Sequence, residues 1–157
     1  MMSDHSAMRG TVIQRMSLQD LEDVVSLETS SSPAPWSRAS FLEEMAKPHA
    51  HCFVLKQHHP SGWHLIGLIC FRSLGEESEL LELSVHPEFR HLGFGRKLME
   101  FYLQASKDLS AKQSCLEVGV TNEPALRLYQ SLSYRPVGRR KRFYQGKFDA
   151  LLLRREI

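Results

Sequence analysis

The chain has 157 residues, which suits one domain with one hydrophobic core. Its formal net charge of +2 is too small to indicate nucleic-acid or membrane binding, and no apolar run approaches the ~20 residues of a membrane-spanning helix. The first residues, MMSDHSAMRG, lack the apolar core of an export signal. We therefore expect a flexible end at residues 1–10, one domain at 11–157 and a cytoplasmic location.

The cysteines and histidines point to neither disulfides nor a metal site. Cys52, Cys70 and Cys115 are odd in number and lie in separate apolar stretches, which favours reduced, buried thiols. The eight histidines include His49, His51 and the pair at 58–59, but none has the spacing of a zinc site. We predict no bound metal.

The first third of the chain predicts one strand and two helices. Residues 11–16, TVIQRM, look like a short first strand, and Ser17 then opens a helix, with Asp20 three residues later in a capping-box-like pattern. The segment TSSSPAP at 29–35 is a loop. After it, Ser37 is placed to cap a second helix.

The middle of the chain predicts a hairpin followed by a strand and a long helix. HCFVLK at 51–56 and HLIGLICF at 64–71 flank a Pro-Ser-Gly turn, and ELLELSVH at 79–86 is the next strand. Apolar residues then recur at helical spacing over 94–109.

The last third continues with the strand SCLEVGV at 114–120, a helix at 123–132 and two strands at about 134–144 and 147–154. A strand, the 94–109 helix and the 114–120 strand make a βαβ unit, so one strand pair should be parallel. The expected fold is a mixed α/β sheet, mostly antiparallel, with helices on both faces.

The segment RHLGFG at residues 90–95 lies between a strand and a helix N-terminus. Gly93 and Gly95 allow the backbone to approach a ligand, and the free amides of the first helical turn attract anions. Arg90, His91 and Arg96 add donors or positive charge nearby. It is neither a P-loop nor a dinucleotide fingerprint, because no Gly-Lys-Ser/Thr or GxGxxG follows. From the residues alone, a phosphate site and a tight structural turn are equally acceptable.

RHLGFG resembles the Arg/Gln-x-x-Gly-x-Gly/Ala signature of the GNAT superfamily, the acetyl-coenzyme-A-dependent N-acetyltransferases. The flanking LSVHPEFR and RKLMEFYL, and ALRLYQSLSY at 125–134, extend that resemblance from about residue 10 to the end. APWS at 34–37 and RRKRFY at 139–144 are most similar to the bacterial ribosomal-protein-alanine N-acetyltransferases. The resemblance implies the GNAT fold, in which a parallel strand pair splays apart around the cofactor.

The resemblance also implies which residues bind acetyl-coenzyme A (acetyl-CoA). The backbone of Leu83, Ser84 and Val85 pairs with the pantetheine arm, and Asn122 contacts the cofactor or only caps its helix. The backbone amides that cradle the pyrophosphate belong to His91, Leu92, Gly93, Phe94, Gly95 and Arg96.

Two residues carry the chemistry that the resemblance implies. Transfer needs a neutral amine, and Glu117, in an otherwise apolar strand, is the candidate base, with a raised pKa if it faces an apolar pocket. The alternative is that Glu117 is a surface glutamate on the polar face of its strand. Tyr129 is the candidate acid that protonates the leaving thiolate, although its ring also fits the core. Attack is direct, so the cysteines take no part.

On the acceptor side, the resemblance places Trp36 and Tyr144 in the wall of a peptide groove, although Tyr144 is equally explained as a packing aromatic. Arg139 to Arg142 form a basic run, which is either a solvated strand face or a contact for acidic residues or RNA. The implied acceptor is the N-terminal alanine of a small-subunit ribosomal protein. We expect a monomer that binds neither membranes nor nucleic acid directly.

Three residues depart from the family pattern. Ser133 replaces a glycine that favours the left-handed helix end, whereas Gly119 replaces an arginine and Ala34 an aromatic residue on the acceptor side.

Three other functions are alternatives to N-terminal acetylation. They are acetylation of lysine or a small amine, a non-catalytic acyl-CoA-binding module, and an RNA-binding domain. The presence of both Glu117 and Tyr129 argues against a module without catalysis.

Overall fold

The computed structural model describes residues 10–144 and 146–157, and for 142–144 the backbone alone. The seven strands are β1 Thr11–Arg15, β2 Ala50–His59, β3 Gly62–Leu74, β4 Glu77–Val85, β5 Gln113–Gly119, β6 Arg135–Tyr144 and β7 Phe148–Glu156. The α-helices are α1 Leu21–Ser31, α2 Arg38–Met45, α3 Phe94–Asp108 and α4 Glu123–Ser131. Short 3-10 turns cover Leu18–Asp20 and Pro87–Phe89.

The strands form one mixed sheet in the order β1-β2-β3-β4-β5-β7-β6. The pair β4–β5, which α3 connects, is parallel, and the other neighbouring pairs are antiparallel. This is the mixed, largely antiparallel sheet that the element order predicted. The expected flexible end at residues 1–10 lies, apart from Gly10, outside the described residues.

Two buried clusters occupy opposite faces of the sheet. One joins the sheet to α3 and α4 and includes Leu98, Tyr102, Leu116 and Tyr129. The other, with Phe41 at 0% exposure, joins β2 and β3 to α1 and α2. Helices on both faces were predicted, and the period-2 alternation of β2 and β3 explains how these strands serve both clusters.

The capping residues act as their sequence positions predicted, with small shifts in the helix bounds. The backbone N–H of Ser17 donates to Asp20 Oδ2 at 2.8 Å. Ser17 caps a 3-10 turn that precedes α1, and not α1 itself. Ser37 Oγ accepts from the Ser40 N–H at 3.1 Å at the start of α2. The central hairpin is longer than predicted, because β2 and β3 continue to the two-residue turn at 60–61.

The ends of β4 and β5 separate, and this creates a cleft. Their pairing runs from Glu77 opposite Gln113 to Leu80 opposite Leu116. At that point β4 contains a β-bulge, because Phe71 of β3 faces Leu80 while Cys70 faces Glu82, which leaves Leu81 as the extra residue. A bulge bends its strand and increases its twist. Beyond it, β4 follows β3 while β5 follows β7, so an opening forms between them.

Ser133 adopts φ = 68° directly after α4, which is the left-handed region. The Ser133 N–H donates to Gln130 O and the Tyr134 N–H to Tyr129 O, both at 3.0 Å, which is the Schellman arrangement of a helix end. The sequence-based expectation of a left-handed residue here is confirmed.

We predict that Ser133→Gly stabilises the protein by about 1 kcal/mol, because glycine adopts this φ without strain. Urea unfolding measures the change. Ser30→Gly, made inside α1, is the matched control and should lower stability by a similar amount. Equal destabilisation by both substitutions would contradict strain at position 133.

Candidate active site

The opening between β4 and β5 is a cleft of about 700 Å³. It is bounded by the two strand ends, the loop before α2, the start of α4 and β6–β7. Its lining includes Trp36, Glu82, Leu83, Ser84, Glu117, Asn122, Tyr129, Arg140 and Phe148. The structure therefore brings together six of the site residues that the sequence indicated, including both candidate catalytic residues, Glu117 and Tyr129.

Among the described residues, the end of β4 has no neighbouring strand on its cleft side. Two of its backbone atoms contact side chains, because the Leu83 N–H donates to Glu82 Oε1 at 3.3 Å and Val85 O accepts from Arg90 Nε. Leu83, Ser84 and Val85 face Ile69, Leu68 and Gly67 of β3 on one side. On the other side, the described pairing with β5 has already ended at Leu80. An unpaired strand edge is a row of backbone donors and acceptors, which suits a ligand that carries amide groups in an extended arm.

The glycine turn that follows β4 has the geometry of an anion site. His91 (φ = 63°) and Gly93 (φ = 88°) are both left-handed, and Gly93 is the N-cap of α3. The amides of Phe94, Gly95 and Arg96 occupy the first turn, where no intrahelical acceptor exists. A side chain on Gly95 would lie 3.4 Å from Leu128, which itself lines the cleft. The turn thus adjoins the cleft through α4.

The arginine side chains of this turn have structural contacts. Arg90 donates from Nη2 to Ser31 O at 2.8 Å and from Nε to Val85 O at 3.4 Å, so it ties the end of α1 to the end of β4. Arg96 donates to Ser131 Oγ at 3.2 Å. An anion in the turn would therefore be held chiefly by backbone amides and the helix dipole.

Asn122 has the capping role that was one of its two expected functions. Its side-chain oxygen accepts from the Ala125 N–H at 3.3 Å at the start of α4, and the residue also lines the cleft. Capping and a contact with a ligand are compatible.

Glu117 faces the cleft from the middle of β5. Its neighbours Leu116 and Val118 are buried in the α3–α4 cluster, so alternation places Glu117 on the other face. Glu117 Oε1 lies 3.1 Å from Arg140 Nη2, with 22% of the Glu117 side chain and 56% of the Arg140 side chain exposed. Its setting therefore differs from the apolar pocket that the strand sequence indicated, because a guanidinium from β6 meets the carboxylate.

Tyr129 lies on the opposite wall, on α4. The residue is 6% exposed, and its ring packs edge-on against Tyr134 with centroids 5.8 Å apart. It belongs to the α3–α4 core and also lines the cleft. Both expected functions of Tyr129, as a core residue and as a residue of the site, are compatible with this position.

The acceptor-side residues border the same cleft. Trp36, Ala34 and Gly119 line it, so two of the departures from the family pattern are at its surface. The side chain of Tyr144 lies outside the described residues. Phe148, next to it in the final hairpin, is 42% exposed and lines the cleft.

Two carboxyl groups, one that lines the cleft and one buried behind it, were missed by the sequence analysis. Glu28 on α1 is fully buried, and Glu82 just beyond the bulge lines the cleft. Burial and the neighbouring Glu28 raise the pKa of Glu82 to about 9. At neutral pH Glu82 therefore keeps its proton and cannot accept another, which leaves Glu117 as the better candidate base.

The sequence contains signals that could have indicated the Glu28 and Glu82 carboxyl groups. Glu28 follows Leu21 and Val24 at helical spacing, so it continues the buried stripe of α1. Glu82 is a charged residue in an apolar strand, as Glu117 is. A charged residue at an apolar position needs a buried partner or a ligand.

The family model of the acetyltransferase (GNAT) family matches residues 21–134. This chain belongs to the GNAT acetyltransferase family. A Bacillus subtilis protein provisionally named ribosomal protein bS18-alanine N-acetyltransferase is 30% identical over 143 residues, which is 90% of this chain and 92% of that protein. The Mycobacterium tuberculosis N-alpha-acetyltransferase RimI is 33% identical over 127 residues, 78% of this chain and 76% of that protein.

Solved structures of acetyltransferases share the fold. The ribosomal-protein-S18-alanine N-acetyltransferase of Escherichia coli has a TM-score of 0.84 at 23% identity, over 94% of each chain. NAA60 of Arabidopsis thaliana, in complex with acetyl-CoA, has a TM-score of 0.84 at 21% identity, over 94% of this chain and 98% of that one.

The protein is accordingly an acetyl-CoA-dependent N-acetyltransferase. None of its described helices is long and apolar enough to cross a membrane. Within residues 10–144 and 146–157, no group of three or more histidine, cysteine or acidic side chains is arranged to hold a metal ion.

The raised pKa of Glu82 predicts a pH-dependent stability. The folded protein keeps the Glu82 proton up to about pH 9, whereas the unfolded chain loses it near the usual value of 4.5. The free energy of unfolding should therefore fall as pH rises through this window. A glutamine at position 82 cannot ionise, so the free energy of unfolding of Glu82→Gln should not fall for this reason. Its stability relative to the wild type should therefore increase between pH 5 and pH 9.

Urea unfolding at several pH values measures the effect. Glu77→Gln, an exposed change on the same strand, is the control and should follow the wild type. A constant stability difference between Glu82→Gln and the wild type across the window would contradict the raised pKa.

Proposed function

We propose that this N-acetyltransferase modifies the N-terminal α-amine of a protein, and that its acceptor is an alanine-starting ribosomal protein of the small subunit. The similarity to relatives named as N-alpha and bS18-alanine acetyltransferases supports the proposal. The observation that carries it is the pairing of Glu117 and Tyr129 across one cleft next to Trp36.

The residues present fit acetyl-CoA. When bound, it supplies a thioester carbonyl as the acetyl donor. The free edge of Leu83, Ser84 and Val85 would hold the pantetheine arm, and the amides of residues 91–96 would hold the pyrophosphate. Asn122 adds a polar contact at the start of α4. The phosphate interpretation of the glycine turn thus becomes the better of the two that the sequence left open.

In the proposed mechanism, Glu117 accepts a proton from the acceptor amine, directly or through a water molecule. An α-ammonium has a pKa of about 7.7–8.0, so most of the amine is charged at pH 7, and a base that takes its proton raises the share of the reactive neutral form. Arg140 orients the Glu117 carboxylate by their 3.1 Å contact, and an incoming ammonium would compete for it.

Tyr129 acts as the acid on the opposite wall. Its hydroxyl donates a proton to the departing sulfur, while its buried ring keeps that hydroxyl in place. A backbone N–H of β4 near Val85 stabilises the oxyanion of the transfer step. Acetyl transfer is direct, and Cys52 and Cys70, which are buried beneath α1 and α2, take no part.

The acceptor wall favours a peptide chain. The Pro35-Trp36-Ser37 segment and the β6–β7 hairpin border the cleft, and Tyr144 is proposed to hold the peptide backbone. Ala34 and Gly119 leave room where the family pattern has an aromatic residue and an arginine. A cytoplasmic monomer acting on such N-termini is the form that we propose.

A peptide assay tests the proposal. Wild-type protein with acetyl-CoA should release thiol and acetylate the α-amine of alanine-starting peptides, as located by mass spectrometry. Glu117→Gln and Tyr129→Phe should each lower kcat/KM by about 10² or more, because each removes a proton-transfer group. Glu123→Gln, an exposed change at the start of α4, is the control and should retain activity.

Peptides with other first residues and an N-blocked, lysine-containing peptide complete the set. Transfer to lysine or to small amines alone, with acetyl-CoA binding intact, would contradict the N-terminal acceptor. Full activity of both variants would contradict the residue roles.

A further inference from the structure

The Glu28 carboxylate joins the two walls of the cleft from behind. Its Oε1 accepts from Ser84 Oγ on the cofactor-side strand at 2.6 Å. Its Oε2 accepts from the backbone N–H of Trp36 on the acceptor-side loop at 3.0 Å. The Glu82 carboxyl group also interacts with Glu28, which helps to raise the pKa of Glu82. One buried side chain thus contacts three residues that line the cleft.

Packing alone does not explain a glutamate at this position. Residue 28 is 0% exposed and continues an apolar stripe, so a leucine would match the helix pattern. None of the ion pairs seen between described residues includes Glu28. A buried carboxylate is costly unless neutral donors satisfy its oxygens, which Ser84 and Trp36 do.

The two walls depend on Glu28 to different degrees. Ser84 is also held by the pairing of β4 with β3, where it faces Leu68. Trp36 lies in a loop, and its indole packs against Phe41 at 5.2 Å. Loss of the carboxylate would therefore leave the strand in place and release the backbone of the loop.

We propose that Glu28 is a positioning residue, which holds the acceptor loop at Trp36 in register with the cofactor strand at Ser84. The inference rests on the proposed function, because it assigns one wall to each substrate. A misplacement of about 1 Å between two reacting groups can cost about 10²-fold in rate. Glu28 sets this distance without touching either substrate.

Two substitutions of Glu28 separate positioning from packing and from charge. Glu28→Leu removes both acceptors, and kcat/KM for the peptide should fall by about 10²-fold, while the Kd of acetyl-CoA changes by less than about 3-fold. Glu28→Gln can keep both bonds, because its oxygen can accept from Trp36 and its amide can donate to Ser84 Oγ. It should restore kcat/KM to within about 10-fold of the wild type.

Calorimetry with acetyl-CoA and steady-state kinetics with the peptide give the two readouts. Glu22→Gln, an exposed change on the same helix, should match the wild type. If Glu28→Leu keeps the kcat/KM of the wild type, residue 28 only fills space in the core, and the proposal is overturned. If Glu28→Gln is as inactive as Glu28→Leu, the negative charge is what matters, and the proposal is overturned as well.

Ser84→Ala keeps the test decisive if Glu28→Leu fails to fold. It removes only the bond from the cofactor strand, and the peptide kcat/KM should fall by about 10-fold with the Kd of acetyl-CoA little changed. Unchanged kinetics would overturn the proposal. If the wild type acetylates only another amine, the proposed function fails by itself, and the same variants are measured with that amine.

Discussion

The bulge at Leu81 is the constraint on which the site depends. It ends the pairing of β4 with β5 after four residues and leaves each strand bound to its outer neighbour. The bulge also reverses the alternation along β4. Leu80 points into the α3–α4 core, whereas Glu82 and Ser84, two and four residues later, meet Glu28 of α1. A single extra residue thus opens the cleft and supplies its polar floor.

An open cleft in the middle of a sheet needs other interactions to hold its walls. Arg90 links the last turn of α1 to the end of β4, and Glu28 links α1, β4 and the Trp36 loop. Arg140 reaches from β6 to Glu117 on β5. These polar contacts replace the backbone hydrogen bonds that a continuous sheet would have made there. Residues of the signature and of the candidate site therefore also stabilise the cleft.

The sequence predicted the fold well because its signals are local. Helical periodicity, capping by Ser17, Ser37 and Asn122, and the left-handed turn at Ser133 depend on residues a few positions apart. The βαβ pattern indicated the parallel pair, and the family signature added the expectation that the glycine turn binds a pyrophosphate, which periodicity alone did not provide.

The sequence did not predict the polar contacts across the cleft, because they join residues that are far apart in the chain. Glu28 and Ser84 are 56 positions apart, and neither helix nor strand pattern indicates that they meet. The Arg140 contact likewise depends on the register of β5, β6 and β7, and it changed the expected setting of Glu117 from apolar to charged.

Amide hydrogen exchange with and without acetyl-CoA tests the central claim most directly, because that claim assigns the cofactor to a free strand edge and to backbone amides. Binding should slow exchange at residues 81–85 and in the turn at 91–96, while the β2–β3 turn near Ser61 remains unchanged. Protection of those two segments together would support the site. Acetyl-CoA binding that leaves both unprotected would contradict it.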